Sequence, residues 1–496
     1  MNPPATNYFK LAQEHIAQKQ WQQAMVNLQS AVQIEPERWE LYFNLGIVFL
    51  RQKHYHQAIK SFKQAIILNP NDDATFYHLG TALAISNNPN NAIISFCRAI
   101  TINPDNPHFY YNLGQVLIKQ NLIDKALVCF RKVFILNPSY HQLQFHLGKF
   151  FRNEGLLKEA VVCFCRAIKL NPNYAPAYIS LRYIELEPKW LAALIEFYRQ
   201  IITKQPHIPE ALANLAEALA LQDNITESII FSRQAIYIKT IKERPSLAQI
   251  DWQPQKQQPP DFIIIGAGKT GTTSLYKYLG NHPQILLPNK KELRFFDKNF
   301  NYGHGWYLAQ FPSICDRPEF LTGEASPSYF FSPHVAQKIK DFAPKVKLIV
   351  MLRNPVARTI SDYYQNKKTG NQNQTLSATI QQQIKLLKQK TEQQLSYGGG
   401  AISQSLYYYK LKRWFKVFPK HQFSILKSED FFANPTVSME QVYQFLDLPN
   451  IKSDYYPKYN TGDYPEVEAL IEEQLKDFFL IHNQRLEELL QTSFYW

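Results

Sequence analysis

Along the first half of the chain, apolar and small residues follow a helical spacing that itself repeats every 34 residues. Asn-Pro stands at Asn69-Pro70, Asn103-Pro104, Asn137-Pro138 and Asn171-Pro172. Leu-Gly stands at Leu45-Gly46, Leu79-Gly80, Leu113-Gly114 and Leu147-Gly148, and Pro36 and Pro206 extend the proline series one period each way. Gly46, Ala58, Phe62 and Ala65 keep the same offsets as Gly80, Ala92, Phe96 and Ala99. Each period therefore predicts two helices. Small Gly and Ala let the pair approach, the aromatic fills the space between them, and Pro ends the unit. One pair cannot bury its apolar face alone, so the units stack into an α-solenoid over residues 5–242. The last period departs from the pattern, with Ser228 for the small Ala and Thr240 for the Pro.

This periodic series resembles the tetratricopeptide repeat family, with six to seven repeats. Two residues before the Gly position lie Asn44, His78, Asn112, His146 and Asn214, preceded by Phe43, Tyr77, Tyr111, Phe145 and Ala213. In such superhelices that face lines the inner groove. The ladder is thus expected either to hold an extended peptide of a protein partner or to pack neighbouring repeats together.

The pattern then changes. Residues 243–260 are rich in Pro and Gln and read as a linker, with Trp252 free to pack on a neighbour. Phe262–Ile265 and Lys347–Leu352 are short apolar runs fit for buried parallel strands, which makes 261–496 an α/β domain. Residues 365–396, rich in Gln, Lys and Asn, read as amphipathic helices whose polar, basic face is either a solvated surface, the favoured reading, or the cover of a cleft, followed by a glycine hinge at Gly398-Gly399-Gly400.

Composition narrows the classes. In 496 residues, 45% hydrophobic and 14% aromatic content excludes wholesale disorder, and only 17 Gly favours helices. Five cysteines are no disulfide framework and suggest a reduced, cytoplasmic chain. Cys163 and Cys165 point to different sides of one helix, so no metal is expected. The net charge of +13 suits an anionic ligand, and equally a spread of helix-surface lysines. No run approaches the ~18 apolar residues of a membrane span, Met1-Asn2-Pro3-Pro4 is not a signal-peptide start, and no nucleic-acid partner is expected.

The chemistry concentrates after the first strand. Gly266-Ala267-Gly268-Lys269-Thr270-Gly271-Thr272-Thr273-Ser274 joins a strand end to a helix start. Backbone amides, the helix dipole, hydroxyls and one lysine would all meet an anion there. A Walker A loop would need Gly at position 263, which is Ile, so an ATP site fails on spacing. The loop instead resembles the 5′-phosphosulfate loop of sulfotransferases that use 3′-phosphoadenosine 5′-phosphosulfate (PAPS). Arg353-Asn354-Pro355 with Ser361, at the end of the second strand, is similar to the same family's 3′-phosphate motif.

Lys290-Lys291-Glu292-Leu293-Arg294-Phe295-Phe296-Asp297, Tyr302–Tyr307 and Phe494-Tyr495-Trp496 extend the match to the heparan-sulfate branch. The resemblance implies a P-loop-kinase-like parallel sheet flanked by helices, with PAPS as donor and no metal. It implies Lys269, Thr270, Gly271, Thr272, Thr273, Ser274, Arg353, Ser361, Thr461 and Gly462 as donor contacts. Lys269 would stabilise the leaving phosphate oxygen, and Glu292 would be the general base for a sugar or peptide acceptor. His304 is a rival base, set in a Gly-flanked turn. Two departures bear on the acceptor: Glu324-Ala325-Ser326-Pro327-Ser328-Tyr329 lacks the branch's lysine, and Thr461-Gly462-Asp463 lacks its basic loop. An adaptor that binds the nucleotide without transferring sulfate, and a P-loop kinase, remain open alternatives.

Overall fold

The computed structural model describes residues 5–496 except 185–187, 253–257, 315–318, 369–371, 373, 398, 452, 454, 460–463, 465 and 466. The chain divides into two compact units, Met1–Leu181 and Arg182–Trp496.

In the first unit the 34-residue period becomes a series of antiparallel helix pairs. They are α1 (Ala5–Ala17) with α2 (Trp21–Ile34), α3 (Trp39–Arg51) with α4 (Tyr55–Leu68), and α5 (Asp73–Ile85) with α6 (Pro89–Ile102). α7 (Pro107–Lys119) with α8 (Ile123–Leu136) and α9 (His141–Asn153) with α10 (Leu157–Leu170) follow, and α11 (Ala175–Arg182) runs up to the division. The glycines mark where helices touch. A Cβ on Gly80 would lie 2.8 Å from the Phe96 ring, and one on Gly148 would lie 2.6 Å from Phe164. The Asn of each Asn-Pro has its own task. Asn69, Asn137 and Asn171 close their helices, and each side-chain oxygen accepts the amide two residues on, at 3.1–3.2 Å.

The second unit opens with α12 (Pro188–Lys204), α13 (Pro209–Leu221) and α14 (Ile225–Glu243). An α/β body follows: β1 (Phe262–Gly266), α15 (Thr272–Gly280), β2 (Ile285–Leu286), α16 (Gly303–Leu308), β3 (Leu321–Ala325), α17 (Val335–Phe342) and β4 (Lys347–Leu352). Next come α18 (Pro355–Lys368), α19 (Leu376–Leu387), α20 (Glu392–Tyr397), α21 (Ala401–Gln404), α22 (Tyr407–Phe415) and β5 (Phe423–Lys427). The last helices are α23 (Ser428–Ala433), α24 (Pro435–Phe445) and α25 (Ala469–Leu490). All strand pairs are parallel, in the order β2-β3-β1-β4-β5.

Both sheet faces are covered, which is why the strands read as unbroken apolar runs. Ile263, Ile265, Leu348 and Val350 face Ile339 of α17 and Leu411 and Trp414 of α22. Phe262, Ile264, Ile349 and Met351 face Leu275 of α15 and Met439 and Val442 of α24. His282 follows the end of α15, fully buried, with Nε2 3.0 Å from the Pro449 carbonyl oxygen.

The departures in the last repeat are contacts to this body. Ser228 Oγ donates to Ala216 O at 2.6 Å and accepts the Trp306 indole N–H at 3.2 Å. With Thr240 where a proline would break it, α14 continues to Glu243. Arg244 then reaches the carbonyls of His282 (2.8 Å), Ile285 (2.7 Å) and Pro283. Ala220 belongs to the core of the second unit, and Ile225 and Ile229 pack against it. The stretch read as a linker starts with a 3-10 turn at Pro245–Gln249, and Trp252 packs edge-on against Tyr237 of α14.

Candidate active site

The loop leaving β1 is held from behind by its carbonyls. Ala267 O accepts from Thr270 Oγ1 at 2.7 Å, Gly268 O from Arg358 Nε at 3.0 Å, Lys269 O from Arg353 Nη1 at 3.2 Å, and Thr270 O from Ser428 Oγ at 2.7 Å. Four successive carbonyls are thus occupied. Lys269 has φ 69° and Gly271 φ 100°, left-handed conformations that turn the chain into the start of α15. No side chain caps that start. Among the described residues, the N–H groups of Gly268 to Thr272 have no acceptor. Unpaired amides at a helix N-terminus are an anion site. Thr270, Thr272 and Ser274 are buried in the same turn, and Ser274 Oγ accepts the Tyr459 amide at 3.1 Å.

Arg358, absent from the expected site residues, is the central support. Its guanidinium is fully buried, and besides Gly268 O it meets Ala401 O at 2.9 Å, Ser405 Oγ at 3.0 Å and Gln404 Oε1 at 2.6 Å. A buried cation is tolerated only when satisfied in this way. Its helical spacing to Asp362, 3.8 Å away, was the one signal of it in the sequence.

Arg353 stands between β4 and α18 beside the loop, and its own carbonyl accepts from Tyr407 OH at 2.9 Å. Ser361 lies on α18, with its hydroxyl 2.9 Å from Tyr464 OH. Thr461 and Gly462 lie outside the described residues, as does Gly398 of the expected hinge. Burial pulls the Lys269 ammonium below its usual pKa. Asp362 opposes that shift, and Arg358, Glu292 and Lys291 also act on it. Lys269 and Glu292 are therefore within electrostatic reach of each other.

Glu292 sits on a segment pinned to the end of β3. Its amide donates to Ala325 O at 2.9 Å, the Arg294 amide to Ser326 Oγ at 3.1 Å, and the Phe296 amide to Tyr329 OH at 3.4 Å. Glu292 and Arg294 both have positive φ, 64° and 52°. The anchor is Glu324. Fully buried, it accepts Tyr307 OH (2.9 Å) and Tyr329 OH (3.0 Å) on one oxygen and Ser326 Oγ (2.7 Å) on the other. Burial pushes its carboxyl up to about 7, against those three hydroxyls. The Glu292 side chain is half exposed and pairs with Lys291 at 2.5 Å, while Arg294 pairs with Asp297 at 3.0 Å. Glu292 also lines a cavity of about 160 Å3. His304 lies in α16 rather than in a turn; it is exposed, with its ring 4.5 Å from that of Phe342.

In the first unit the half-buried ladder residues touch from repeat to repeat. The Phe43 and His78 rings are 5.7 Å apart, Asn112 Nδ2 donates to Tyr77 OH at 3.2 Å, and Tyr111 meets His146 edge-on at 5.5 Å. Burial pushes His78 and His146 down to about 4, so both are neutral near pH 7.

Comparison with known proteins agrees with both halves. The sulfotransferase domain profile matches residues 259–460. Tetratricopeptide repeat profiles match 39–72, 74–106, 107–140 and 141–174. Heparan sulfate glucosamine 3-O-sulfotransferase 5 of Homo sapiens is 29% identical over 279 residues, covering 51% of this chain and 79% of that protein. The bifunctional heparan sulfate N-deacetylase/N-sulfotransferase 2 of Bos taurus is 27% identical over 270 residues, 48% of this chain and 30% of that protein. A solved sulfotransferase from Alicyclobacillus acidocaldarius is 30% identical over 47% of this chain and 97% of its own, with a TM-score of 0.39.

Proposed function

Because this chain joins tetratricopeptide repeats to a sulfotransferase domain, we propose that it moves a sulfuryl group from PAPS to a hydroxyl or amine acceptor. The observation that carries this reading is the loop after β1, with four carbonyls fastened behind it and the amides of Gly268–Thr272 without an acceptor among the described residues, beside Lys269 and Arg353. The amides of Gly268–Thr272, with the hydroxyls of Thr270, Thr272, Thr273 and Ser274, take the 5′-phosphosulfate. Arg353 and Ser361 take the 3′-phosphate, where a guanidinium fork suits a dianion, and Thr461 and Gly462 are the remaining donor contacts that the family resemblance implies.

In the reaction the sulfur–oxygen bond to the donor phosphate breaks as a new bond forms to the acceptor atom. The acceptor proton goes to Glu292, and the charge left on the phosphate oxygen meets Lys269. As in phosphoryl transfer, most of the catalysis is positioning and electrostatics. The names of the two heparan sulfate relatives favour a saccharide acceptor, with a peptide as the competing class. The groove of the repeats would take an extended segment of a protein partner. Four described cysteines without disulfides are consistent with work in the cytoplasm.

Titration of the full chain with 3′,5′-adenosine bisphosphate tests the donor site. Tight binding of the bisphosphate, weak binding of ADP, and losses of tenfold or more in Lys269→Ala and Arg353→Ala are expected. Equal binding of ADP, or no binding of either nucleotide, sinks the proposal.

A further inference from the structure

The cavity beside Glu292 is closed on one side by helices from the repeat-like part of the second unit. Arg182, Ala213 and Glu217 come from α11 and α13, and Lys290, Arg294 and Trp306 come from the segment after β2. The contacts across it are specific. Glu217 pairs with Lys290 at 2.5 Å and lies 3.8 Å from Arg182. Arg182 in turn donates to Asn214 Oδ1 at 2.9 Å and to the Asn289 carbonyl at 3.1 Å. The side-chain amides of Asn289 and Gln310 reach Ser232 of α14, both at 3.0 Å.

Two features of this wall point to a ligand. The lining carries four cations, Arg182, Lys290, Arg294 and Lys298, against the carboxylates of Glu217 and Glu292. Asp297 matches Arg294, but Lys290 and Arg182 share the one carboxylate of Glu217, so positive charge is left over beside Lys290 and the cavity suits an acidic group. The second feature is Ala213. Its counterparts two to five periods upstream are Phe145, Tyr111, Tyr77 and Phe43, with Ile179 one period upstream, so the groove-facing aromatic of the earlier repeats has given way to a methyl group where the cavity lies.

We infer that α13 and its neighbours are a wall of the acceptor site, that Ala213 makes room there, and that Lys290, positioned by Glu217, meets an acidic group on a sugar ring of the acceptor. This rests on the sulfotransferase reading, with Glu292 as the base facing the same space. A cavity of about 160 Å3 has room for one sugar ring. The repeat-like helices then select the substrate directly.

The test uses the full chain saturated with 3′,5′-adenosine bisphosphate and titrated with a heparosan hexasaccharide, which carries a carboxylate on every second ring, and with its carboxyl-reduced form. The acidic form binds at least tenfold tighter. Lys290→Met removes that preference. Ala213→Phe restores only the aromatic common to other repeats; it weakens heparosan at least tenfold and leaves bisphosphate affinity within twofold, which also shows that the variant is folded. Glu217→Gln raises KM for the acidic glycan in transfer assays more than it lowers kcat, whereas a merely structural role would lower bisphosphate affinity too. Unchanged heparosan binding in Ala213→Phe, equal binding of the two glycans, or binding of an acidic tyrosine peptide in place of heparosan overturns the inference. Failure of the bisphosphate itself to bind overturns the underlying sulfotransferase reading instead.

Discussion

Arg358 and Glu324 carry much of the site without being aimed at a ligand. Arg358 ties the Gly268 carbonyl to α21, so its loss should loosen the loop's amides. Arg358→Lys keeps the charge but cannot reproduce four directed contacts. Calorimetry should show bisphosphate affinity down about tenfold, and denaturation should show stability down by about 2–4 kcal/mol. For Glu324, the folded-state value of about 7 lies above the 4.5 of the unprotected side chain. The folded protein therefore favours the neutral acid. The contribution of this group to stability is fully present below pH 4.5 and is lost as pH rises through 7, by roughly 3 kcal/mol in all. Glu324→Gln should gain stability over the parent at pH 8 and not at pH 5, measured by urea unfolding at the two values. Lys269 and Arg353 were readable from motif spacing because local backbone geometry places them. Glu324 was not, since its burial depends on Tyr307 and Tyr329 arriving from other elements.

At the scale of elements, α14 separates repeat consensus from repeat use. Ser228→Ala restores the family's usual residue, yet should destabilise the protein by about 1 kcal/mol, because the buried Trp306 indole N–H loses its acceptor. Thr240→Pro likewise restores the consensus and should cost about 3 kcal/mol or more by breaking α14 before Arg244 can reach its three carbonyls. Thermal denaturation reads both, and a neutral result at either position would mean that α14 is not fastened as described. Gly80→Ala is the contrasting case within an ordinary repeat. There the added methyl meets Phe96, and a loss of about 1–3 kcal/mol follows from overpacking. The helix pairs themselves were legible from the 34-residue period, because each pair packs by near-neighbour rules. That Ser228 and Thr240 are docking residues rather than wear was not legible, since their partners lie 78 residues away at Trp306 and beyond the end of α14.

Taken whole, the second compact unit begins at Arg182, well before the first strand. A chain started at residue 261 would remove the contacts that Trp306, Gln310 and the carbonyls of 282–289 make with α11–α14 and Arg244. It should unfold at a lower temperature and bind 3′,5′-adenosine bisphosphate more weakly than a chain started at residue 175. Equal melting temperatures for the two would show that α12–α14 add nothing to the catalytic body. Period and motif spacing suffice for the solenoid, the parallel sheet, the loop of Lys269 and the arginine of β4, because each depends on residues close in the chain or on burial on both faces of a strand. Where the repeat-like helices end and the catalytic unit begins depends on side chains that meet across long stretches of sequence. So do the pinning of the Glu292 segment and the cavity against α13. No local pattern encodes such meetings, and only packing brings them about.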